Sequence, residues 1–233
     1  MFITHHSELG VFIMTNKNSG GDIMSDKIDR RRVRTKQLLY QALMSLIEEQ
    51  GIEHISVTDI ANRADVNRGT FYLHYKDVPD MLQRIKDEVF ESILSHVARL
   101  DFQQAMVYAD RSEPYPNGIA LFEQIARHAD FLKVMLGPRG DLSYAIRLRE
   151  VMTAHIYEKM SFVPPSDPAV PIDYVIAYMT SANFGMIMHW IESGMRQSPA
   201  QMGAMMTRLV NFGPLVAFGL RELPSISSSS KKQ

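Results

Sequence analysis

Apolar residues recur along most of this chain at helical spacing. Leu38, Leu39, Ala42, Leu43, Leu46 and Ile47 fall at i, i+1, i+4, i+5, i+8 and i+9. That single stripe predicts an amphipathic helix from about Arg32 to Gln50. Gly51 follows at the position where a helix commonly closes. Ile52, Ile55 and Val57 then pack the entry to a second helix. Met81, Leu82, Ile85, Val89, Ile93, Leu94 and Val97 predict the buried face of a long helix over about 79–99, with Pro79 in its first turn and Asp80 at its positive end. The run DRSEPYPN at 110–117 reads as a loop. Further helices are predicted over about 118–136, 142–160, 172–193 and 199–220. The breaker Gly137-Pro138-Arg139-Gly140 separates the first two, and a stiff linker with Pro164, Pro165, Pro168 and Pro171 precedes the third. The pattern predicts an all-α protein.

The stretch SVTDIANRADVNRGTFYLHYK, Ser56 to Lys76, carries the most specific information. Ser56 or Thr58 caps a short helix with an apolar edge of Ile60, Ala61 and Ala64. Asp65 breaks it, Val66 plugs the turn, and Asn67 caps a second helix over about 68–74. Two short helices across a three-residue turn make a helix-turn-helix. In the second helix Phe71 and Leu73 are expected to face inward. Arg68, Thr70, Tyr72 and His74 are left as donors for base edges and phosphates in a major groove.

The wording VNRGTFYLHYKD, with the basic lead-in and the helix before it, resembles the DNA-binding domain of the TetR family of transcriptional regulators over about Arg31 to Leu82. Later segments, HADFLKVMLGPRGD and FGMIMHWIESGM, resemble a C-terminal domain of one branch of that family. The resemblance implies an N-terminal three-helix DNA-binding domain with a helix-turn-helix and a larger helical regulatory and dimerisation domain. Its boundaries are expected at 1–26 (a disordered extension), 27–78 (DNA binding), 79–222 (ligand binding and dimerisation) and 223–233 (a disordered tail). Met14 and Met24 are alternative starts, the second opening MSDKIDRRRVRTK. Two positions depart from the family pattern. Asp65 stands where the turn often has Gly, and Asp tolerates the left-handed conformation. Val78 stands where a phosphate-binding Lys is common, which leaves Lys76 as the cation at that edge.

Charge adds to this reading by its distribution. The net charge is −1, yet Lys27 to Lys36 holds six cations and one acid, a net +5 in ten residues. A basic arm beside a helix-turn-helix is the footprint expected on a phosphate backbone. There is no Cys, so no disulfide framework and no thiol chemistry. No His pair has metal-ligand spacing, and no nucleophile–base arrangement or phosphate loop is visible, so neither an enzyme nor a metal or other cofactor is expected. No run approaches the roughly 20 apolar residues of a membrane span. The first residues lack the basic start of a secretory signal. A cytoplasmic protein is expected.

From residues and resemblance together, the expected DNA-binding set is Arg32, Arg34, Thr58, Asn67, Arg68, Gly69, Thr70, Tyr72, His74, Tyr75 and Lys76. The resemblance implies double-stranded operator DNA as partner and a homodimer through the last two helices, about 172–220. Tyr174, Ala177, Tyr178, Ser181, Ala182, Gly185, Met186 and His189 offer a face of small and adaptable residues for it. Met202, Met205, Met206, Leu209, Phe212 and Val216 offer a matching stripe. A small-molecule effector is also implied, with Met135, Tyr144, His155, Tyr174, Phe184, Met188 and Trp190 as its expected contacts. A repressor released by that effector is the expected function. An activator, a ligand-independent regulator or a protein-interaction module of the same fold are the alternatives.

Overall fold

The computed structural model describes residues 23–160 and 170–222. Expectations for 1–22, for the prolines of 161–169 and for the tail 223–233 fall outside the described residues. Among the described residues there are ten helices and no strand: α1 Ile23–Gln50, α2 Val57–Arg63, α3 Arg68–Tyr72, α4 Val78–Val97, α5 Phe102–Asp110, α6 Pro116–Arg127, α7 Ala129–Met135, α8 Leu142–Met160, α9 Ile172–Glu192 and α10 Pro199–Ala217. The fold is all-α. None of these helices is long and apolar enough to cross a membrane.

The chain divides into two compact units. The first holds the described residues of Met1–Ser92 together with Arg127–Leu148; the second holds those of Ile93–Ala126 and Arg149–Gln233. The division falls inside α4, before the last residue of α6, and inside α8.

In the first unit, Leu39, Ala42, Leu43, Leu46 and Ile47 of α1 are buried as the stripe requires, and Leu38 lies at its exposed edge. Ile60 and Ala61 of α2, Phe71 of α3, and Met81, Leu82, Ile85 and Val89 of α4 are buried in the same unit. Phe131, Leu132 and Met135 of α7 and Tyr144 of α8 complete that core. Phe131 and Tyr144 meet edge to face at 5.4 Å. Polar contacts tie the 127–148 segment to the helices before it. The Arg139 guanidinium donates to the Glu48 carbonyl at 3.0 Å and to the Glu49 carbonyl. Lys86 pairs with Asp141. Burial pushes the Asp141 carboxyl up, but hydrogen bonds from Lys86 and Ser143 outweigh it and hold the group at about 2.

In the second unit, Trp190 is buried against Phe122 at 5.4 Å, and its indole N–H donates to the Gln197 carbonyl at 2.9 Å. Gly203 of α10 lets α6 come close: a Cβ there would sit 3.0 Å from the Ile119 side chain and 3.1 Å from its backbone nitrogen.

Four expectations about elements change. Helix α1 begins at Ile23, inside the segment expected to be disordered. Helix α5 was not predicted; its side chains make no stripe, since Met106 and Val107 are both exposed, and what starts it is local, the Asp101 carboxylate accepting from the Gln104 amide at 2.9 Å. The helix expected over 118–136 is two helices broken at His128. Leu121, Phe122, Ile125, Ala129 and Leu132 are buried on both sides of that break, so the apolar period gives no sign of it. Finally, α10 kinks at Gly213 (φ 76°), just before Pro214.

Candidate functional site

The helix-turn-helix is built by local chemistry. The Ser56 hydroxyl accepts from the Asp59 amide at 3.2 Å, and the Asp59 carboxylate accepts from the Ser56 amide at 2.9 Å. This reciprocal capping box starts α2, and it selects Ser56 over Thr58. Asp65 adopts φ 52° in the turn, as an Asp can. The Val66 amide donates to the Ala61 carbonyl at 2.9 Å. The Asn67 side chain accepts from the Gly69 amide at 2.9 Å and starts α3. From α2, Arg63 reaches back to α1 and binds both Glu49 oxygens at 2.7 Å, with the Ser45 hydroxyl at 2.6 Å. Hydrogen bonds from Arg63 lower the Glu49 carboxyl to about 2.

Phe71 anchors α3: its side chain is fully buried and its ring stands 5.7 Å from that of Tyr75. Around that anchor the outer surface is polar and basic. Arg68 and Gly69 are exposed, Thr70 is half-buried, and Tyr72 is 52% exposed. Arg32, Arg34, Lys36, Thr58 and Lys76 are exposed as well. His74 is half-buried, and burial together with the charges of Lys36 and Arg32 holds its pKa below the ordinary histidine value. Lys36 and Arg32 of α1 are thus among the charges that act on the residue just after α3.

Two positions differ from expectation, and a third, Val78, is explained. Leu73, expected inward, is 73% exposed: it caps α3 one residue after the last helical turn, and Phe71 alone serves as the anchor. Tyr75, expected on phosphates, is only 9% exposed, its ring against Phe71 and beneath the Arg84 guanidinium at 6.0 Å. It seats α3. Val78 is buried at the start of α4, which explains an apolar residue where a lysine would have to be desolvated. Asp77 and Asp80 close the same corner: the Asp80 amide donates to Asp77 at 2.7 Å and the Lys76 amide donates to Asp80 at 3.0 Å.

The second unit contains a cavity of about 90 Å³. Its wall is mostly apolar, with Phe102, Leu121, Phe122, Met152, Ile187 and Met206 among its lining. Of the seven residues expected to contact an effector, His155 lines it. Its Nε2–H donates to the Leu100 carbonyl at 3.2 Å. Met135 and Tyr144 are core residues of the first unit. Trp190 is buried behind the wall, Tyr174 is 69% exposed, and Phe184 and Met188 are half-buried outside the lining. Asn183, Thr207 and Asn211 line the cavity and were not anticipated. Their only sequence signal is a polar residue in an otherwise apolar helix.

Two family models match this chain. The model of the bacterial regulatory proteins of the tetR family matches residues 39–85, and a TetR-type model of a transcriptional regulator C-terminal region matches residues 112–212. The chain is 33% identical over 72 residues to the uncharacterised HTH-type transcriptional regulator YxbF of Bacillus subtilis (strain 168), covering 30% of this chain and 19% of that one. It is 30% identical over 90 residues to the HTH-type transcriptional repressor BepR of Brucella suis biovar 1 (strain 1330), covering 39% of this chain and 38% of that one. The matched stretch thus spans less than two-fifths of either relative's length. Among solved structures, a TetR transcriptional regulator from Streptococcus agalactiae 2603V superposes with a TM-score of 0.50 at 18% identity, covering 80% of this chain and 98% of that one. That likeness shows the fold. With the helix-turn-helix and both family models in place, the chain belongs to the TetR family of DNA-binding transcriptional regulators, a family of regulators and not of enzymes.

Proposed function

We propose that this protein is a homodimeric repressor that binds operator DNA through α3 and is released when a small molecule enters the second unit. One observation carries the reading. A short helix anchored by Phe71 presents Arg68, Thr70 and Tyr72 outward, while Arg32 and Lys36 lie close enough to depress the His74 pKa. Polar groups able to reach base edges therefore stand within a basic surface suited to phosphates. Gly69 lets the backbone approach, Asn67 holds the helix start, and Thr58, His74, Lys76, Arg32 and Arg34 position the phosphates. The cavity of the second unit supports the release step by offering an apolar site away from this surface in sequence. BepR, a relative over part of its length, is named a repressor.

The test is fluorescence anisotropy of the full chain on DNA from upstream of its own gene, against a scrambled duplex, over a salt series. Tight binding to the upstream duplex alone, falling steeply with salt, is expected. Tyr72→Ala should abolish the preference while leaving the melting temperature within a few degrees, because Tyr72 lies outside the core. Arg32→Ala should weaken both duplexes alike and reduce the salt slope by about 1. If no DNA, including the output of a random-pool selection, is bound better than scrambled duplex, the reading fails.

A further inference from the structure

The cavity of the second unit says what kind of molecule it takes. Its wall comes from the segment before and within α5 and from α6, α8, α9 and α10, all of one compact unit. Among the described residues no Lys or Arg lines it. Its one carboxylate, Asp101, already accepts the Gln104 amide at the start of α5. An anion entering here would leave water and meet no fixed cation, since the one imidazole of the described lining, His155, is already bonded to the Leu100 carbonyl; that is strongly unfavourable. A cation would have only a carboxylate committed to a helix cap.

The polar groups of the wall are mostly spoken for. The Tyr115 hydroxyl accepts from the Asp101 amide at 3.0 Å and from Asn117 at 3.2 Å. The Thr207 hydroxyl donates to the Gly203 carbonyl at 2.8 Å, and Asn211 donates to the Thr207 carbonyl at 2.7 Å. Asn183 differs: among the described residues its side chain makes no hydrogen bond, although it is only partly exposed and lines the cavity. A free amide offers two donors and one acceptor.

The geometry points to a neutral, largely apolar small molecule with one hydroxyl or carbonyl group, which Asn183 binds while the hydrocarbon part lies against Met152, Met206, Phe122 and Ile187. This deepens the proposed function, since it rests on the reading that the second unit houses the effector. At about 90 Å³ the cavity is smaller than the ~150 Å³ that holds benzene in an engineered apolar core. The occupant therefore has to displace side chains, and Met152 and Met206 are the adaptable ones that can yield.

The experiment uses the full chain without DNA and four probes of nearly one shape: benzyl alcohol, toluene, benzoate and benzylamine. Saturable binding is measured by ligand-observed NMR and by the shift in melting temperature. Benzyl alcohol should bind best, with benzoate and benzylamine weaker by roughly tenfold or more. Asn183→Leu should weaken benzyl alcohol and leave toluene bound as well as before, so that the preference for the hydroxyl is lost. The toluene comparison in the unmodified chain tests the same point if the variant does not fold. Benzoate or benzylamine binding as tightly as the alcohol, an unchanged preference in Asn183→Leu, or no saturable binding by any probe overturns the proposal. Adding operator DNA separates the two readings. If benzyl alcohol binds but leaves the DNA complex intact, the site stands and the release step of the proposed function falls.

Discussion

Leu73 stands exposed beside Tyr72 at the end of α3, on a surface otherwise furnished with Arg68, Lys76 and the cations of α1. A lone exposed leucine is ordinary on a protein surface. On a helix proposed to enter a major groove it has an apolar partner available, because the thymine methyl is the hydrocarbon feature displayed there. Leu73→Ala should therefore weaken the selected operator by about 1 kcal/mol, the scale of a buried methylene or two. Replacing one thymine by uracil, which lacks the methyl, should cost the same, and the two changes together should cost little more than either alone. Additive losses at every thymine would show that Leu73 reads none of them. His74 gives a second prediction at this scale. Burial, Lys36 and Arg32 hold its pKa below the ordinary value, so the folded chain favours the uncharged ring. Above the ordinary histidine value its contribution to stability is fully present, and it is lost as pH falls through the folded pKa. A nearby phosphate acts in the opposite sense and favours the charged ring, so the DNA complex should take up protons. Affinity should accordingly rise between pH 8 and pH 6, and His74→Gln should flatten that rise. An unchanged pH profile in the variant would remove His74 from the phosphate contacts.

At the scale of elements, the short turn at 137–140 carries more constraint than its length suggests. It joins α7 to α8, and its Arg139 donates to two carbonyls at the end of α1. A Cβ on Gly140 would run into the Met135 and Val134 carbonyls, and one on Gly137 would lie 2.8 Å from the Lys133 carbonyl. Gly140→Ala should therefore destabilise the first unit by about 2 kcal/mol, in the range of overpacked sites, as read from urea unfolding. A neutral outcome would mean that the turn reshapes freely and does not brace α1. How much of the fold could be read in advance follows the same division between local and distant causes. Ser56, Asp65 and Asn67 act within three residues of themselves, so the helix-turn-helix was legible in the sequence down to Asn67 at the start of α3, with only the choice between Ser56 and Thr58 as the cap of α2 left open. The stripe of α1 was legible because one period runs along its buried face. The break at His128 was hidden because apolar residues continue in phase across it. Leu73 misled because a leucine in a five-residue helix resembles core, yet one residue past the last turn it points away from Phe71. The cavity was the least legible part. Five segments far apart in sequence supply its wall, and no periodicity says which polar residues among them keep a free hydrogen bond.

For the whole molecule, packing among the described residues leaves a face of α9 bare. On α9, Tyr174 is 69% and Tyr178 61% exposed, and Ala177, Ser181, Ala182 and Gly185 are exposed between and beyond them. Small residues interleaved with tyrosines allow close helix approach with aromatic anchors at its edge, and tyrosine is enriched where interface energy concentrates. In the proposed homodimer two copies of α3 would read two half-sites, and half-sites one helical turn apart on B-DNA lie about 34 Å apart. Two half-sites bound by one dimer then gain affinity through effective concentration with no new contact to DNA. Gly185 gives the cleanest test. A Cβ there meets nothing within 4 Å, and arginine is a better helix former than glycine, so the isolated chain should accept Gly185→Arg without loss of helicity. A close helix pair would not accept it. Sedimentation velocity should show the unmodified chain at twice the monomer mass and Gly185→Arg at the monomer mass. Affinity for a two-half-site operator should fall toward that for a single half-site, with the single-site affinity itself unchanged. A variant that remains dimeric would move the interface off this face of α9. A variant that becomes monomeric yet binds the full operator as tightly as before would show that the DNA-binding unit needs no partner.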